Sequence, residues 1–201
     1  MKLILVRHGE TDWNKEHRVQ GLSDIPLNER GMAQARGLSE SLRGEKFNRI
    51  YASPLLRARQ TADIINEYHG LTVHTDERLL ELRQGIFEGM TFLEMKETHG
   101  EFLMQWMTDP ISVAMPQGES LQELYTRASA AIDEIISTGT DSLVVTHNFT
   151  LSVLLCAVQH LPVSEFRRFR HHTAAKSVFE IGPNDSRTLI VCNDISHYDG
   201  A

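Results

Sequence analysis

Apolar residues enter this chain in two patterns. Leu3 to Val6 and Leu143 to Val145 are short unbroken runs, as central strands covered on both faces require. Further strands are predicted at Arg49 to Ala52 and near Leu71 to Thr75. Between the runs, apolar residues recur at helical spacing. Asn28 can cap a helix through about Leu42, with Ala33, Ala35 and Leu38 as its apolar surface and Gly44 as its end. Ser53-Pro54 predicts Ser at an N-cap and Pro at the first helical position, followed by Leu55, Ala58, Ala62 and Ile65. Thr91-x-x-Glu94 and Ser120-x-x-Glu123 are capping-box patterns, the second opening a helix to about Ile136. Another helix is predicted from about Phe149 to Val158, and Ser177 to Ile181 and Thr188 to Cys192 flank a Gly182–Ser186 turn as a hairpin. Alternating strands and helices predict an α/β three-layer sandwich. Its central sheet is mostly parallel, with helices on both faces and an antiparallel C-terminal edge. No repeat or linker divides the chain, so residues 1–201 read as one domain.

Composition narrows the class. The chain has 201 residues, 41% of them apolar, enough for one sizeable core. No window approaches the roughly 18 apolar residues of a membrane span. The N-terminal run is too short for a signal-peptide core and leads directly into charge, so a cytoplasmic protein is expected. Cys156 and Cys192 lie in apolar stretches and read as buried thiols. The formal net charge of -7 argues against nucleic acid as a partner. Any anion site must then be a local concentration of positive charge.

Such a concentration is predicted at the carboxyl ends of the strands, where open α/β sheets form their ligand sites. The first strand ends in Arg7-His8-Gly9-Glu10-Thr11, and the Leu143 strand ends in Thr146-His147-Asn148. Arg57 falls in the first turn after Ser53-Pro54, an anion-friendly position. The segment after Leu71 to Thr75 delivers Glu81, with Glu77 and Glu88 as competing carboxylates. Guanidinium groups grip phosphate oxygens. A neutral imidazole can attack phosphorus, a second histidine can donate to a phosphoryl oxygen, and a carboxylic acid can protonate a departing alkoxide. Phosphoryl transfer needs mainly positioning and charge neutralisation.

These segments occur in a telling order. Arg7-His8-Gly9-Glu10-Thr11-x-x-Asn14 is followed by Gln20-Gly21-x-x-Asp24-x-Pro26-Leu27 and Gly31-x-x-Gln34-Ala35. Then come Ser53-Pro54-Leu55-x-Arg57-Ala58-x-Gln60-Thr61-Ala62 and Glu81-x-x-x-Gly85-x-Phe87-Glu88-Gly89. Pro116-x-Gly118-Glu119-Ser120, Val145-Thr146-His147, and Asn193-Asp194 with His197 complete the series. Over nearly its whole length the chain resembles the histidine phosphatase superfamily, in its phosphoglycerate-mutase-like branch. The resemblance implies that His8 carries the phosphoryl group and that Arg7, Asn14, Arg57 and His147 bind it. It singles out Glu81 as general acid and then base. Gln20, Gly21 and Asn148 become candidate substrate contacts, and no metal or other cofactor is implied. Two departures are Asn148, where many relatives have glycine, and Leu151, where they often have arginine.

The implied activity is a metal-independent phosphomonoesterase acting on a small soluble ester. Candidates are α-ribazole phosphate, phosphoserine and sugar or sugar-acid phosphates. The chain looks too short for the long insertion of cofactor-dependent phosphoglycerate mutases, which favours phosphatase over mutase. A phospho-ligand binding module would have no use for Glu81, and a metallohydrolase would be exposed by chelation. Neither nucleic acid nor membrane is expected as a partner, and a homodimer stays open. Arg167 to His172 read as a solvated basic face, with a substrate-facing wall as the alternative. The methionines after Glu81 read as core packing, with an adaptable lid as the alternative.

Overall fold

The computed structural model describes residues 1–198, so residues 199–201 of the expected domain lie outside the described residues. The strands are β1 (Lys2–Arg7), β2 (Arg49–Ala52), β3 (Val73–Thr75), β4 (Ser142–Thr146), β5 (Lys176–Ile181) and β6 (Arg187–Asp194). They form one six-stranded sheet in the order β3-β2-β4-β1-β5-β6. β1, β2, β3 and β4 pair in parallel, and β5 and β6 add an antiparallel edge beside β1. The helices are α1 (Asp12–Lys15), α2 (Glu29–Leu42), α3 (Leu56–Asn66), α4 (Phe92–Thr108), α5 (Leu121–Ser137) and α6 (Asn148–Val158).

The run in β1 is unbroken because both of its faces are covered. Leu3 and Leu5 join Val144 in the core with α5 and α6, while Ile4 and Val6 join Leu143 and Val145 in the core with α2 and α3. Successive strand residues point to opposite faces, so each core takes alternate residues of one run. The three-layer α/β expectation therefore holds. No single helix among the described residues is long and apolar enough to cross a membrane.

Several local expectations are corrected. α3 begins at Leu56 with Leu55 at its N-cap, so Ser53 does not cap it. The Ser53 hydroxyl lies instead 2.7 Å from Nε2 of the buried His147. β3 starts at Val73, because both amide ends of the Asn66 side chain bind the backbone of Leu71 and hold it in the preceding loop. Cys156 is buried, and burial pushes its thiol up to about 12. Cys192 is exposed, because β6 is an edge strand with one face open. The methionines divide: Met95 and Met115 are buried, whereas Met104 and Met107 are exposed. α4 keeps its Thr91–Glu94 capping box but breaks helical geometry at His99.

The acid-bearing segment is held by a residue that the motifs did not single out. Arg127 of α5 donates to the carbonyls of Arg78, Leu80 and Glu81 at 2.7 to 2.9 Å. It also pairs with the carboxylate of Glu119, which is 1% exposed. Removing Arg127 leaves the buried Glu119 charge with only the Arg83 amide and the Arg83 guanidinium, 3.5 Å away. Arg127→Met should therefore cost about 3 kcal/mol in urea unfolding. Arg127→Lys should recover only part of this, since one ammonium cannot span three carbonyls and a carboxylate. Full recovery by lysine would contradict this account.

Candidate active site

β1 delivers His8 one residue past its end, and the backbone fixes it on both sides. The His8 amide donates to the Thr146 carbonyl at 3.0 Å, and the His8 carbonyl accepts from the Ala174 amide at 2.9 Å. The imidazole is buried, and its Nδ1 lies 2.6 Å from the Gly9 carbonyl oxygen. A carbonyl can only accept, so Nδ1 carries the proton and the Nε2 lone pair is left free. Burial, then Arg57 and Arg7, hold this imidazole well below its ordinary titration range. The result is a neutral, oriented imidazole whose Nε2 carries no proton.

Arg57, from the first turn of α3, is fully buried beside it. Nη1 and Nη2 donate to the carbonyls of Ser23 and Gly21, each at 2.8 Å, and Nε donates to Nδ1 of His147 at 3.2 Å. Burial lowers this guanidinium to about 10, against the pull of Glu81. The loop supplying the two carbonyls needs Gly21, whose φ is +53°. A Cβ there would fall 2.2 Å from the Glu88 carboxylate. Glu88 in turn accepts from the amides of Leu22 and Ser23 and from the Ser23 hydroxyl. Glu88 is thus a brace for the arginine's cradle, and Glu77 is exposed.

Arg7 donates from Nη1 to the His171 carbonyl, while its Nε is buried without a partner among the described residues. Buried donors rarely stay unpaired. The Arg7 side chain also lines a cavity of about 890 Å³, with Asn14, Trp13 and Arg170. Burial brings the Arg7 guanidinium to about 10, with Glu81 opposing. Asn14 closes a capping box with Thr11, in which its Oδ1 accepts from the Thr11 amide at 3.1 Å. That leaves the Nδ2 end of the amide for an anion.

His147 ends β4 and caps α6, its ring centroid 5.2 Å from that of His8. Burial, with Arg57 next, depresses its titration strongly. Because Arg57 Nε can only donate, Nδ1 of His147 accepts and Nε2–H points to Ser53 Oγ. A proton on Nδ1 would face the Arg57 N–H, so this geometry holds the Nε2–H tautomer.

Glu81 is nearly buried at the start of α6. Its Oε1 accepts from the amides of Leu82 at 2.9 Å and Thr150 at 3.2 Å, and its Oε2 accepts only from the Phe149 amide at 3.2 Å. Among the described residues, Oε2 therefore has fewer donors than Oε1. The remaining candidates have other partners. Gln20 accepts from the Thr11 hydroxyl, and the Gly21 carbonyl serves Arg57. Asn148 lines a second cavity and accepts from the His171 amide at 3.4 Å. Glu10 accepts from Asn28 and borders the 890 Å³ cavity.

The Arg167–His172 cluster is largely the solvated face expected: Arg167, Arg168, Arg170 and His172 are exposed, Arg168 pairs with Glu165, and His171 is the exception. His171 is buried between the Phe169 carbonyl and the Ser177 hydroxyl, Arg167 donates to carbonyls of α4, and Arg170 lines both cavities. His171 turns inward, and its carbonyl accepts from Arg7. Ser53 and Arg127 escaped the sequence reading. The family-like Ser-Pro and Glu119-Ser120 segments were the only signals near them.

The two buried imidazoles have a consequence for stability. His8 and His147 are neutral when folded, whereas unfolded histidine protonates near pH 6.5. The unfolded chain therefore binds more protons below that pH, and stability falls as pH falls. Each histidine should contribute a slope of up to about 1.4 kcal/mol per pH unit. His8→Asn, which cannot titrate, should flatten the curve of unfolding free energy between about pH 6.5 and 5. An unchanged slope would contradict the burial argument.

Comparison with known proteins agrees with this geometry. The family described as "Histidine phosphatase superfamily (branch 1)" matches residues 3–194. "Phosphoserine phosphatase 1" of Hydrogenobacter thermophilus is 36% identical over 202 residues, covering 100% of this chain and 95% of the relative. "Probable phosphoglycerate mutase GpmB" of Yersinia pestis is 37% identical over 172 residues, covering 85% and 80%. The crystal structure of the alpha-ribazole phosphatase from Shigella flexneri superposes with a TM-score of 0.90 at 28% identity, covering 97% of each chain. The chain belongs to the histidine phosphatase superfamily, branch 1.

Proposed function

We propose that this protein hydrolyses small phosphate monoesters through a phosphohistidine at His8, without a metal. The observation that carries the reading is the neutral His8 ring, its Nδ1 tied to Gly9 and its Nε2 free between two arginines. Nε2 attacks phosphorus, and the bond from phosphorus to the ester oxygen breaks. The proton on Glu81 Oε2 passes to the departing alkoxide. Arg7, Arg57, Asn14 and His147 bind the phosphoryl oxygens, supplying the charge neutralisation that the loose transition state demands. Glu81, now a carboxylate, takes a proton from water. The water oxygen attacks phosphorus, the P–N bond breaks, and inorganic phosphate leaves with His8 neutral again. The relatives named for phosphoserine and alpha-ribazole support a phosphatase.

A mutase reading draws on the relative named as a phosphoglycerate mutase. It predicts isomerised ester in place of free phosphate, so product analysis separates the two.

The chemistry is tested by resolving the two steps in rapid-quench experiments. Acid-labile phosphate should be trapped on His8, and exhaustive chelation should leave turnover unchanged. Glu81→Gln should slow phosphohistidine formation from an alkyl ester by about 10²–10⁴-fold. The same step should slow far less with p-nitrophenyl phosphate, whose phenolate leaves unaided. Label on a serine, or equal slowing with both esters, would count against these roles.

A further inference from the structure

The phosphate-binding end of the site does not account for the larger part of the space around it. A second cavity, of about 600 Å³, lies under α4. It meets the first along His17, Val19, Phe92 and Arg170, which line both. Glu81 lines neither cavity, but this one approaches it through the Phe149 backbone. Gln84, Asn148 and Phe149 form its near wall, and the Phe149 amide is the donor on Glu81 Oε2. A chamber placed there receives whatever is attached to the oxygen that Glu81 protonates.

Its far walls are apolar and aromatic. Trp106 stands edge-on to Phe149, with centroids 6.2 Å apart and planes at 72°. Phe149 lies 6.2 Å from Phe166, and Phe102 and Met95 continue the lining. Flexible methionines adapt to flat partners, and aromatic walls favour offset or edge-on rings. At the mouth, Phe92 and Met107 are 55% and 57% exposed, an apolar rim that an apolar ligand would cover.

Charge sharpens the choice. Among the described residues, no carboxylate lines this chamber. The ammonium of a phosphorylated amino acid would lose water there and meet no counter-charge. Arg167 is committed to α4, donating to the carbonyls of Trp106 and Met107 at 2.9 Å each. A hydroxyl-rich sugar would leave polar groups unpaired against Met95, Phe102 and Leu103.

We propose that the alcohol released by this enzyme carries an apolar ring system, and that this ring binds in the chamber between α4 and Phe149. The proposal rests on the reading of His8 and Glu81 as the hydrolytic pair. It assigns substrate selection to Trp106, Phe149 and Phe102.

The test compares 3-phenylpropyl phosphate with propyl phosphate on the whole chain, alongside phosphoserine, 3-phosphoglycerate and glucose 6-phosphate. The first two have closely matched leaving groups, so their ratio reads binding of the ring. The phenyl ester should have the higher kcat/KM by about 10-fold or more. It should also exceed the three charged or sugar-based esters. Trp106→Ala should narrow the ratio, chiefly by raising KM for the phenyl ester. Preference for phosphoserine, phosphoglycerate or the sugar phosphate would overturn the proposal, as would a ratio indifferent to Trp106→Ala. Calorimetry with 3-phenylpropylphosphonate and propylphosphonate separates this from the reaction itself. Absence of phosphate release with the ring preference retained would overturn the hydrolase reading alone. Equal affinities would overturn the chamber assignment.

Discussion

Two arginines at this site are held by carbonyl oxygens instead of carboxylates. Arg57 rests on the carbonyls of Gly21 and Ser23, and Arg7 rests on that of His171. Carbonyl dipoles orient a guanidinium without cancelling its charge. On a chain of net charge -7, this keeps positive potential where an anion binds. Much of the surrounding architecture follows from it. Gly21 and Glu88 shape the loop beneath Arg57. The inward turn of residues 169–174 puts a carbonyl beneath Arg7 and an amide on the His8 carbonyl.

Burial, reinforced by the same charge, governs the histidines. Two cations beside a buried imidazole oppose its protonation, so His8 and His147 remain neutral. For a nucleophile this is the useful state, since a protonated ring has no lone pair to offer. The Gly9 carbonyl then selects which nitrogen keeps it. Burial, charge and one hydrogen bond together leave His8 neutral with Nε2 unprotonated.

What was legible in the sequence were the features that side chains announce. The unbroken run in β1 showed that both faces of the sheet are covered. The strand-end residues Arg7, His8 and His147, with Arg57, converge as expected. Glu81 was separated from Glu77 and Glu88 only by resemblance. In the structure Glu81 is nearly buried against the α6 amides, Glu77 is exposed and Glu88 braces the Gly21–Ser23 loop. The roles of Arg127 and Ser53 were hidden for a related reason. Arg127 acts on three backbone carbonyls, and every residue has one, so its targets leave no trace in residue identity. Ser53 matched a helix-cap pattern, and only the packing of β4 beside it brings His147 within reach of the hydroxyl. Cys192 was misjudged because an apolar stretch does not reveal that its strand lies at an edge.

The central claim is that His8 is a neutral imidazole protonated on Nδ1, and nitrogen-15 NMR of the histidine rings reads it directly. The account predicts an Nδ1–H tautomer for His8 that persists unchanged well below pH 6.5, the range where free histidine titrates. An Nε2–H tautomer, or a ring that becomes doubly protonated near pH 6.5, would contradict it.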